Sequence, residues 1–133
     1  MLTRDEGSEL IPYSTFKDSL RKSMELDENE QPSAIAEAYV KFTRDLREQI
    51  PEDNPKRAKA ELDEREAQVL AEYLNNRRKP PSKLDDKTLT ALSNSLTTIS
   101  AFLETVDGKM PKTLSILHLD VNMQIMKNEE ADY

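Results

Sequence analysis

The chain has 133 residues, 36% hydrophobic and 34% charged, with a net charge of −7. The absence of cysteine excludes disulfides, thiolate metal sites and thiol catalysis. The two glycines, Gly7 and Gly108, cannot supply a phosphate-cradling loop or a dinucleotide fingerprint, and the acidic balance argues against generic nucleic-acid binding.

Residues 1–14 read as a loosely ordered arm, fastened to the core at its end by Leu10, Ile11 and Tyr13. It lacks the apolar core of a signal peptide. Thr15 and Asp18 resemble a capping box, and Phe16, Leu20 and Met24 recur every four residues, which predicts a helix over 15–26. A polar loop ends at Pro32, and Ser33 is a good N-cap for a second helix over 34–50. Ile35, Ala38, Tyr39, Phe42, Leu46 and Ile50 form its apolar stripe.

Asn54 before Pro55 predicts the start of a third helix, running to residue 76. Its first half is crowded with charge, including Glu61 and Arg65 at i,i+4 spacing. The linker after it holds Arg77, Arg78, Lys79 and Lys83 around Pro80 and Pro81. These four cations are candidate phosphate contacts. With Lys56, Arg57 and Lys59 they also fit short nuclear-localisation patterns. No aromatic is interleaved with them, which weighs against single-strand binding.

Asp85 or Asp86 caps a fourth helix over 86–107, with Gly108 as its C′ residue. Leu89, Leu92, Leu96, Ile99, Leu103 and Val106 are spaced as an a/d seam. No charge occurs between Lys87 and Glu104, so more than one face of this helix should be covered. Its second stripe, Ala91, Ser95, Thr98 and Phe102, is a candidate protein interface if another chain supplies the cover. The competing expectation is that the chain's own helices cover it.

In residues 114–126, Leu117, Leu119, Val121, Met123 and Ile125 alternate with His118, Asp120, Asn122 and Gln124. That period of two favours a strand with one apolar face over a fifth helix. A lone strand must pair with a partner, so the same five apolar residues are further candidate interface positions. Residues 127–133 read as a frayed tail.

Chemistry is scarce. One histidine, His118, leaves no His-rich metal site, and a nucleophilic triad would have to be built on it alone. The adjacent acids, such as Asp63–Glu64 and Asp85–Asp86, are explained by helix caps and the macrodipole.

The expected fold is mainly α: a four-helix bundle-like domain over 15–126 with a C-terminal strand. The expected function is a non-enzymatic protein–protein interaction module, an adaptor or accessory subunit, self-association included. The alternatives are a nucleic-acid-associated regulator using residues 77–83, and an enzyme with a cryptic carboxylate site. No catalytic residue, cofactor, metal or small-molecule substrate is inferred. With no apolar run near the ~20 residues that span a bilayer, the expected location is intracellular, cytoplasmic or, in a eukaryote, nuclear.

Overall fold

A computed structural model describes the backbone of residues 4–76 and 79–131 and the side chains of residues 11–76 and 79–131. Among the described residues are five α-helices: α1 Arg4–Met24, α2 Gln31–Gln49, α3 Arg57–Asn75, α4 Asp86–Thr105 and α5 Lys112–Ala131. A 3-10 turn, Pro81–Lys83, precedes α4. No strand occurs among the described residues. No helix there is long and apolar enough to cross a membrane.

Each helix packs on the next in sequence, and α1 also meets α4. Helices α1 to α4 therefore form a bundle, and α5 lies chiefly against α4. The core is built from Phe16 and Leu20 of α1, Ile35, Tyr39 and Phe42 of α2, Leu70 and Leu74 of α3, and the α4 seam. Phe16 stacks on Phe42 with ring centroids 4.5 Å apart, and Phe102 meets both rings edge-on. Such pairs add roughly 0.5–1.5 kcal/mol each beyond their buried area.

The helix ends correct several expectations. Helix α1 begins at Arg4 rather than Thr15, and continues through Pro12. The region read as an arm is thus helical from residue 4. Tyr13 packs its ring against Phe42 and Phe102, as a fastening residue should, but Ile11 points to solvent. The Leu10 side chain lies outside the described residues.

Helix α2 begins at Gln31, with Pro32 in its first turn, where a missing N–H costs nothing. Ser33 is not its cap; the Ser33 hydroxyl lies 3.4 Å from Asn75 Oδ1 on α3. Gln31 instead reaches back, and its Nε2 donates to the carbonyls of Met24 and Leu26 at the end of α1. Asn54 accepts from the Lys56 amide at 2.9 Å, which places the start of α3 at Arg57. Glu61 pairs with Arg57 at 3.1 Å, one turn earlier than the expected Arg65.

Asp85 caps α4 as expected, accepting from the Thr88 amide at 2.9 Å. At the other end, the left-handed C′ residue is Asp107, with φ 57°, and not Gly108. Gly108 is one position later. Its amide donates to the Leu103 carbonyl at 2.9 Å, while the Asp107 amide donates to Glu104. That pair of bonds is the Schellman closure. A Cβ at Gly108 would stand 3.1 Å from the Leu103 side chain, a tight contact that the Leu103 methyl would have to relieve.

The main correction concerns the fifth element. Residues 114–126 are not a strand but the middle of helix α5, which extends to Ala131 through most of the expected tail. Pro111 precedes it and accepts the first helical bond, from the Ser115 amide. The period of two arises because α5 has two apolar stripes on opposite faces. Leu117 and Val121 belong to the inner stripe, Leu119 and Met123 to the outer one. Read in order, the members of the two stripes alternate with polar residues and imitate a strand.

Candidate protein interface

The second stripe of α4 lies inside the bundle. Ala91 is 4% exposed and Ser95 1%. Phe102 joins the aromatic cluster with α1 and α2, and the Thr98 hydroxyl, which donates to the Asn94 carbonyl at 3.1 Å, lies beside the Tyr39 phenol on α2. The chain's own helices therefore cover these four positions. Burial pushes the Tyr39 phenol up to about 12, against the lowering effect of the Thr98 hydroxyl beside it.

A third side of α4 faces α5. Ser93 Oγ donates to Asn122 at 2.6 Å, Thr97 Oγ1 sits 3.1 Å from His118 Nε2, and Asn128 donates to Asp86 at 2.9 Å. These contacts run the two helices antiparallel. What remains open to solvent between them and α3 is a neutral strip of Thr90, Asn94, Thr97 and Ala101. The missing charge of α4 thus reflects cover by the bundle and by α5, plus an open strip without charge.

Helix α5 packs chiefly on α4, and this decides its two faces. Leu114, Leu117 and Val121 are buried against the bundle, with Ile125 partly covered. On the opposite face Ile116 is 49% exposed, Leu119 61%, Met123 47% and Met126 60%. The outer residues are spaced 3, 4 and 3, a short a/d seam of the kind that packs against another helix. Of the strand-based interface positions, Leu119 and Met123 lie on this outer seam. Leu117 and Val121 do not, and Ile125 lies at the edge of the inner face. Sequence reasoning missed Ile116 and Met126, although their 3-4 spacing to Leu119 and Met123 was present in the sequence.

The remaining candidates are dispersed. Lys79 and Lys83 are exposed beside the 3-10 turn, where the Lys79 carbonyl accepts from the Tyr73 phenol at 2.6 Å. Arg77 and Arg78 lie outside the described residues. Lys56 and Lys59 are at the other end of α3, roughly 30 Å away at 1.5 Å rise per residue.

His118 is partly buried between α4 and α5, and desolvation lowers its pKa. An open cleft of about 500 Å³ between α2 and α3 is lined by Glu37, Val40, Lys41, Arg44, Gln68, Ala71 and Glu72. His118 is not among them. Beside the cleft, Arg47 and Arg44 both pair with Glu64, locking α2 to α3. No cluster of three or more potential metal ligands occurs among the described residues. No protein-family model matches the chain, and no curated protein or solved structure compared with it matches either.

Proposed function

We propose that this chain is a non-enzymatic protein–protein interaction module, an adaptor or accessory subunit, that docks through the outer face of α5. The observation that carries the reading is the seam Ile116, Leu119, Met123 and Met126, four large apolar side chains about half-exposed in a row. Contiguous apolar surface on a water-facing helix costs solubility and marks a binding site more often than chance. Anchors at i, i+3, i+7 and i+10 suit a partner helix or an apolar groove. Methionine supplies half of them, and its flexible thioether adapts to a partner's shape.

The reading is tested by placing a photo-crosslinking residue at position 123 in living cells of the source organism. Discrete protein adducts are expected at 123, and none at the exposed control position Glu104. A second change, Met126→Lys, should remove the adducts. Adducts no stronger at 123 than at 104, or unaffected by Met126→Lys, would overturn the docking site.

A further inference from the structure

We propose that the occupant of the outer α5 face is a second copy of this chain, laid antiparallel across it, with the two-fold axis passing between Leu119 and Met123 at the height of residue 121. The inference rests on the docking reading above and adds the identity of the partner. The seam does not stop at its four apolar members. The same spacing continues to Lys112 at one end and Glu130 at the other, both exposed. The resulting positions, Lys112, Ile116, Leu119, Met123, Met126 and Glu130, are symmetric about residue 121.

That symmetry selects one arrangement. In an antiparallel pair centred at the height of residue 121, Leu119 of one copy faces Met123 of the other, and Ile116 faces Met126. Lys112 then faces Glu130, at both ends of the seam. A parallel pair would set Lys112 against Lys112 and Glu130 against Glu130, with like charges in both terminal layers. Antiparallel packing also places the opposite ends of the two helix dipoles side by side.

The length is sufficient, since α5 has 20 residues and so spans about 30 Å. The seam offers four half-exposed apolar side chains, fewer than the roughly 20–30 residues a side of a standard interface, so the pair is a weak one. One flank works against it. Asp120 borders the seam next to the axis and approaches its own copy there.

The test uses the full chain in sedimentation equilibrium at about 5–500 μM. The wild type is expected to dimerise. Lys112→Glu and Glu130→Lys each place two like-charge pairs at the seam ends, and each should weaken the dimer about tenfold. The double variant should recover the wild-type affinity. Both positions are exposed, and unchanged circular dichroism will show that the variants remain folded.

Because the chain has no cysteine, Thr113→Cys accepts a single spin label. The antiparallel pair predicts about 25 Å between labels, from 1.5 Å rise per residue. A parallel pair predicts about 10 Å. A monomeric wild type at 500 μM, a double variant no tighter than the singles, or labels about 10 Å apart would overturn the self-pairing. If crosslinks at 123 nevertheless lead to a different protein, the docking surface stands and only its assignment to a second copy falls.

Discussion

Ser95 is the clearest case in which one buried atom sets an expectation. Its hydroxyl is enclosed and has no hydrogen-bond partner. Removing an unpaired buried hydroxyl returns part of its desolvation cost, so Ser95→Ala should stabilise the chain by about 1 kcal/mol in urea unfolding. Ser95→Lys should unfold it, because the surrounding cover comes from the same chain. Asp107 is a second such residue. It holds a left-handed backbone that glycine adopts without strain, so Asp107→Gly should raise stability by about 0.5–1 kcal/mol.

Tyr39 makes stability depend on pH. Its folded pKa, about 12, lies above the ordinary value of 10.0. Below pH 10 the phenol is neutral in both states and its contribution is intact. Between pH 10 and 12 the unfolded chain ionises first, so stability is lost as pH rises. Relative to wild type, Tyr39→Phe should therefore gain about 2 kcal/mol between pH 8 and pH 11.5 in paired urea titrations.

At the scale of the elements, what was legible depended on how many faces a helix covers. Helix α2 has one apolar stripe and a charged back, and its residues were read nearly to their boundaries. Helix α4 was legible through an absence, since a stretch without charge signals cover on several sides. Helix α5 was misread because its stripes are opposed. A period of two fits alternate members of both, and sequence contains no sign of which stripe meets the bundle. The ends were less legible than the middles. Asp85 was found from its cap chemistry, whereas the left-handed residue is Asp107, one position before the expected Gly108, whose amide closes onto the Leu103 carbonyl.

The outer face of α5 also has an element-scale consequence. Asp120 flanks the seam beside the proposed axis, where two copies bring like charges together. Asp120→Asn should tighten self-association about threefold at low salt, with a smaller gain at high salt, measured by sedimentation.

For the whole molecule, the arrangement divides the work between four helices and a fifth. Helices α1 to α4 bury one another's apolar stripes, and the α4 seam ties them to α5. Helix α5 closes only one of its faces in doing so. The candidate site was legible in part: Leu119 and Met123 were found for the wrong reason, as strand residues. Ala91, Ser95, Thr98 and Phe102 turned inward, because α1 to α3 had stripes of their own to cover. Lys79 and Lys83 do not share a surface with Lys56 and Lys59, since the length of α3 separates them.

The inner face of α5 holds the fold, and its outer face is proposed to be free to bind. Thermal unfolding of Leu117→Lys and Leu119→Lys, at a concentration low enough to keep the chain monomeric, tests this most directly. The two positions are two residues apart on one helix and receive the same substitution. Leu117→Lys buries an unpaired charge and should cost at least about 3 kcal/mol, while Leu119→Lys should lie within about 0.5 kcal/mol of wild type. Equal losses at both positions would contradict the account, because the outer face would then belong to the core.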